Sequence, residues 1–146
     1  MNDNIIQVLV KAWESFQNLS KGFGENAWKV RTMGIGFWAA IIAYGYKNKN
    51  GSMYLIALMI ILIFLLLEAG MRILQNKYIE KSIEMERSIN DYLVGAEIQI
   101  PKDGISTNVL TPTVVDLLKL FQPKRWMFWL PYLLLVLASI FMDKIL

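Results

Sequence analysis

The sequence contains no cysteine and no histidine. Their absence excludes thiol nucleophiles, structural disulfides, Cys/His zinc sites and haem-attachment motifs. The acidic residues form no evident paired arrangement, and there is neither a phosphate-cradling loop nor a nucleophile–base pair. An enzyme is therefore not expected, nor is a cofactor or a metal. Charge of one sign is also scarce: 15 Lys and Arg against 12 Asp and Glu leave +3, which is no nucleic-acid-binding signature by itself. Internal repeats and low-complexity tracts are missing as well.

What the chain has in quantity is hydrocarbon. Hydrophobic residues make up 55% of 146 and mean hydropathy is +0.40, ordinary for an integral membrane protein and unusual for a small soluble domain. Three apolar segments stand out: Thr32–Tyr46, Met53–Leu67 and Trp126–Met142. Each reaches the ~20 residues a span requires once flanking apolar residues and snorkelling Lys and Arg are included. The second is too uniformly oily to have a solvated face. The first begins after a polar N-terminal region and lacks a small-residue cleavage site, unlike a signal peptide.

Lys29 and Arg31 precede the first segment, Arg72, Lys77 and Lys81 follow the second, and Lys119, Lys124 and Arg125 precede the third. The loop KNKNGS carries only Lys47 and Lys49, and the tail only Lys144. The positive-inside rule then expects a cytoplasmic N-terminus and an outward C-terminus; Asp143 and Lys144 mark the outer interface.

The expected fold is an all-α integral membrane protein with three transmembrane helices. Residues 1–24 read as an amphipathic cytoplasmic helix, with apolar Ile5, Leu9, Trp13, Phe16 and Leu19 on one face, Asp3 as N-cap, and Gly22 and Gly24 as breakers. Residues 25–71 form the transmembrane hairpin. Residues 72–124 hold a helix running on from the second span, a β-hairpin at Ala96–Val109 around PKDG, and a short helix capped by Thr111 with Pro112 at its first position. Residues 125–146 form the third span. Gly95 ends the long helix and Pro123 stops the short one. The long helix carries a stripe at Met71, Leu74, Tyr78, Met85, Ile89 and Tyr92, interrupted by Ser82. Such a stripe calls for a partner: identical helices in a cyclic homo-oligomer, or the N-terminal helix of the same chain.

The stretch LIFLLLEAGMRILQNKYIEKSIEMER, Leu62–Arg87, is an oily run, an acidic residue, a small pair and then a charged helix. Together with NAWKVRTMGIGFWAA upstream, it resembles the small bacterial transmembrane effectors associated with SMODS-type nucleotidyltransferases, the SLATT-like class. The resemblance covers roughly Gln17–Asn90 and points towards the channel subunit of Hailong-type systems. It implies an antiphage-defence effector in the bacterial inner membrane. Such an effector forms a pore under control of a nucleotide or single-stranded oligonucleotide signal from a partner nucleotidyltransferase.

Glu68 occupies the acidic position of that signature. It either contributes to a cation-favouring ring at a pore mouth, or pairs with Arg72 one turn on or with Arg31 or Lys29 at the same membrane level. Gly36/Ala40 and Ala39/Ala43 are small-xxx-small pairs that either pack on the second span or line a pore, with Thr32 and Tyr44 the few polar groups of the first span. For the nucleotide, the candidate groups are Lys102, Ser106, Thr107, Asn108 and Lys119. Lys124 and Arg125 read rather as headgroup anchors. Eight basic and eight acidic residues between Glu68 and Arg125 leave no guaranteed basic surface. A non-conducting membrane anchor or assembly subunit explains the hydropathy and the stripe equally well.

Overall fold

Amphipathic and oily stretches with 3.6-residue periodicity account for nearly all of the chain's order. The computed structural model describes residues 2–96, 104–108 and 111–145, and every regular element among them is helical. Two long helices, α1 (Asn2–Asn48) and α2 (Ser52–Leu93), are followed by α3 (Val114–Leu120), a 3-10 turn (Pro123–Arg125) and α4 (Trp126–Ile145). The hairpin expected at Ala96–Val109 falls mostly on residues outside those described. Lys102 and the cap side chain of Asp3 lie outside them too. Gly104–Asn108, which is described, is irregular.

Gly22 and Gly24 do not break α1, contrary to expectation. A helical glycine costs only about 1 kcal/mol relative to alanine. At Gly24 the missing side chain serves packing: a Cβ there would stand 2.6 Å from Gln75 Nε2. The real ends of the long helices are Schellman turns. Asn50 N–H donates to Gly45 O (3.0 Å) and Lys49 N–H to Tyr46 O (3.3 Å), with Lys49 left-handed at φ +50. As the sequence indicated, Gly95 (φ +76) closes α2: Ala96 N–H donates to Asp91 O (2.9 Å) and Gly95 N–H to Tyr92 O (3.0 Å).

The chain divides into two compact units, Met1–Glu25 with Arg72–Pro112, and Asn26–Met71 with Thr113–Leu146. In the first, Leu9, Ala12 and Phe16 of α1 pack with Tyr78 and Met85 of α2, flanked by Trp13, Phe23 and Ile89. The rings of Phe23 and Tyr78 lie nearly parallel with centroids 5.6 Å apart. Ser82, the polar interruption of the stripe, is buried and satisfied. It accepts from Gln17 Nε2 (3.2 Å) and donates to Ile79 O (2.8 Å).

In the second unit, α1 and α2 run antiparallel and α4 joins them. Two glycines permit close approach: a Cβ on Gly34 would meet Phe64 Cβ at 2.8 Å, and one on Gly45 would meet Met53 Cβ at 2.7 Å. Ile42, Tyr54 and Ala57 form a buried cluster with Trp38 and Met142 against it. Trp38 Nε1 donates to the buried Ser139 hydroxyl (2.8 Å), tying α1 to α4. The N-cap of α3 is Thr113, two residues beyond the expected Thr111. Thr113 and Asp116 form a capping box, a T-x-x-D signal present in the sequence and stronger than the Thr-Pro pair before it.

Two helices, α2 and the stretch Pro123–Met142, are long and apolar enough to cross a membrane. Less than a third of either apolar window is buried within the protein. The core helix of a soluble protein would be mostly buried, whereas these present leucine, isoleucine and methionine outward. The Thr32–Tyr46 segment expected as a further span belongs to α1, whose small residues and nearby Lys and Arg keep it below the same threshold.

The expected packing of Gly36/Ala40 and Ala39/Ala43 on the second span does not occur: all four residues are exposed, and nothing lies within 4 Å of a Cβ built on Gly36. Gly34 and Gly45 make the close approaches instead. Gly34→Val should therefore destabilise the protein by about 1–3 kcal/mol through overpacking. Gly36→Ala should be neutral or stabilising by up to ~1 kcal/mol. Thermal unfolding of both variants in the same detergent checks the contrast, and equal destabilisation would place the helix contact elsewhere.

Candidate functional site

The polar centre of the second unit is assembled from three helices. Arg31 of α1 and Glu68 of α2 form a two-pronged ion pair, with Nε donating to Oε2 at 2.9 Å and a terminal guanidinium nitrogen to Oε1 at 2.7 Å. The Tyr132 hydroxyl of α4 donates to the same Oε2 at 2.7 Å. Glu68 is 0% exposed and Arg31 6%. The guanidinium fork matches carboxylate geometry and spends little conformational freedom on the pair, which is why arginine rather than lysine suits this place.

Arg31 does a second job. Pro131 lies inside α4 and has no N–H, so the Met127 carbonyl one turn earlier loses its helical donor. Arg31 donates to Met127 O at 3.0 Å and to Phe128 O at 3.2 Å. The guanidinium thus satisfies a carbonyl orphaned by proline while neutralising Glu68. It also sits over the Trp28 ring, 5.0 Å from the centroid, and 5.8 Å from that of Tyr132.

Among the alternatives open for Glu68, the structure displays the pair with Arg31. Arg72, the other arginine considered, donates to Gln75 Oε1 (3.0 Å). Both carboxylate oxygens are occupied, and no group of three potential metal-binding side chains exists among the described residues. The arrangement ties three helices together. Sequence reasoning missed Tyr132. The available signal was a proline and a tyrosine side by side in an otherwise oily helix, both calling for a polar neighbour.

The other sequence-derived positions are dispersed. Thr32, Gly36, Ala40 and Tyr44 follow one another at intervals of four residues along an exposed face of α1, and the Thr32 hydroxyl donates back to Trp28 O (3.0 Å). Tyr78 and Met85 of the stripe are buried against the chain's own N-terminal helix, and Met71, Leu74, Ile89 and Tyr92 are half-buried. Ser106, Thr107 and Asn108 are held to α2 through their backbone. Lys81 Nζ donates to Ser106 O (2.5 Å) and to Asn108 O, and the Tyr78 hydroxyl to Thr107 O (2.9 Å). Lys77 adds a bond to Thr111 O (3.2 Å). Lys119 belongs to the second unit, where it lies 3.9 Å from Asp116. No family model, curated protein or solved structure matches the chain.

Removing one partner of a buried ion pair leaves the other charge uncompensated and costs about 3–5 kcal/mol. Arg31→Met and Glu68→Leu should each destabilise on that scale. The double variant should be less destabilised than the sum of the two, because no lone charge remains. Tyr132→Phe should cost about 1.5–3 kcal/mol, the range for hydrogen bonds to charged groups. Denaturation of all four proteins in a common detergent checks the cycle; strict additivity would show the pair to be energetically idle.

Proposed function

We propose that the chain is an integral membrane subunit whose second unit is embedded in the bilayer by three helices and whose first unit is cytoplasmic. It acts by assembling with further copies of itself. The observation that carries this reading is a long exposed apolar surface organised around a buried, neutralised Arg31–Glu68 pair. At ~1.5 Å per residue, the parts of α1 and α2 in the second unit, and α4, are each roughly 30–35 Å long. That matches the ~30 Å hydrocarbon core, so the α1 segment serves as the third span despite its weaker hydropathy. A charge pair inside such a unit is tolerable because it faces protein and not lipid.

Charge distribution supports the same topology. Residues 26–71 and 113–146 carry eight Lys and Arg against three acids, a net +5, and the remaining residues have seven against nine, a net −2. Within the span bundle Lys29, Arg31, Lys119, Lys124 and Arg125 flank the Arg31–Glu68 end and Lys47, Lys49 and Lys144 the other, so the positive-inside rule favours the Arg31–Glu68 end at the cytoplasmic side of an inner membrane and the C-terminus outside.

A second reading, a homo-oligomeric pore, is favoured by one observation: Thr32, Gly36, Ala40 and Tyr44 face outward from α1 instead of packing within the chain. Copies meeting along this face could approach closely, and the lumen would lie between chains. Glu68, consumed by Arg31 and Tyr132, would line its mouth only if that pair opened. Action in antiphage defence under a nucleotide signal rests on the resemblance of Leu62–Arg87 to SLATT-like effectors. A phosphate ligand at Ser106–Asn108 would meet a unit of net negative charge, which disfavours that placement.

The reading expects the protein to stay in the membrane through alkaline washing and to be released by detergent. In detergent its mass should exceed one chain, and Gly36→Leu with Ala40→Leu should return it to one chain without lowering thermal stability. Cation flux from loaded liposomes would add the pore. Oligomers without flux would leave the assembly subunit, and release by alkaline washing would remove the membrane reading.

A further inference from the structure

A groove opens on the outside of the second unit between α2 and α4. It has a volume of about 260 Å³ and is walled by Leu58, Ile61 and Leu65 of α2, Trp129 and Val136 of α4, and Phe121 at the end of α3. Its lining is apolar almost throughout. The one hydroxyl among the lining residues, that of Tyr132, is turned inward to Glu68. The groove is smaller than the roughly 300–1,000 Å³ of a typical small-molecule site and runs along two helices, a shape suited to a linear hydrocarbon chain.

The chain between two of its lining residues has the opposite character. The 3-10 turn Pro123–Arg125 lies in the chain between two groove residues, Phe121 and Trp129. Lys124 and Arg125 on that turn are exposed, and their side chains have no ion-pair partner among the described residues. On the preceding short helix, Val114, Val115 and Leu118 point outward with Trp126 and Met127 close behind in sequence, an amphipathic corner of the kind that sits at a headgroup boundary. Two exposed cations on the turn that joins the groove residues Phe121 and Trp129, unpaired among the described residues, complement one class of molecule: a lipid with an anionic headgroup.

We propose that this groove is a specific site for an anionic phospholipid, with one acyl chain between α2 and α4 and the phosphate on Lys124 and Arg125. The inference rests on the membrane reading above. Ordinary annular lipid would touch the groove without regard to headgroup. The specific site selects by charge, because each cation near an anionic headgroup is worth about fivefold in relative affinity.

The test uses the full chain in phosphatidylcholine liposomes containing a fixed small fraction of lipid brominated in one acyl chain, either phosphatidylglycerol or phosphatidylcholine. Bromine quenches nearby tryptophan, and the Trp129 signal is the difference between the wild type and Trp129→Phe. Quenching of that signal should half-saturate at a several-fold lower fraction of the brominated anionic lipid than of the zwitterionic one. Lys124→Gln with Arg125→Gln should abolish the difference; both side chains are exposed and have no ion-pair partner among the described residues, so the fold should be retained. Equal quenching by the two lipids would overturn the site and leave the membrane reading standing. Trp129 shielded from both lipids while the other tryptophans are quenched would place protein, such as a second copy, in the groove and overturn the site. Quenching of no tryptophan by either lipid would overturn site and membrane reading together.

Discussion

The second unit depends on a single buried guanidinium. Arg31 neutralises the fully buried carboxylate of Glu68 and supplies to Met127 O the donor that Pro131 withholds from α4. Burying either charge alone would be prohibitive, and the pair is tolerable because geometry and hydrogen bonding are both complete. One side chain thereby couples three helices, and the Trp38–Ser139 bond ties α1 to α4 a second time. In a bilayer this matters more than in water. Apolar helices gain little from leaving lipid for one another, so close packing and interhelical hydrogen bonds must fix their arrangement.

The two units use different physics. In the first, leucine, phenylalanine and methionine from α1 and α2 bury against each other, as in a soluble helical pair. A polar segment is fastened to α2 by Lys77, Tyr78 and Lys81 through backbone carbonyls. In the second, many leucine, isoleucine and methionine side chains face outward, while Ala57, Ala69, Tyr54, Tyr132 and the Arg31–Glu68 pair lie inside. The first unit carries the excess of acids and the second the excess of cations.

Several features were legible because they are local. The α2 helix through Glu68, its stop at Gly95 and the apolar run of α4 follow from periodicity, residue propensity and hydropathy. Gly22 and Gly24 show the limit of local reading: glycine weakens a helix only modestly, and Gly24 is needed where Gln75 comes close. The stripe on α2 announced that it required a partner without saying which. Tyr78 and Met85 find theirs in Leu9, Ala12 and Phe16 of the same chain. The cap of α3 lies at Thr113 and not at the Thr111–Pro112 pair, because the reciprocal Thr113–Asp116 bonds set the start.

By itself the sequence determined that the chain is mainly helical, that Met53–Leu67 and Trp126–Met142 are apolar enough to belong to membrane-crossing helices, and that thiol and imidazole groups are absent, while its expectation of a further span at Thr32–Tyr46 met a less apolar helix. These are properties of residue type and spacing within one helix. Only the tertiary structure decided that Glu68 pairs with Arg31, that Tyr132 shares its carboxylate, that Gly34 rather than Gly36 makes the close contact, and that a groove opens between α2 and α4. Each of these depends on which faces of distant segments meet. Periodicity gives the faces of a helix, but the rotation and offset of one helix against another are fixed only when all the helices pack at once.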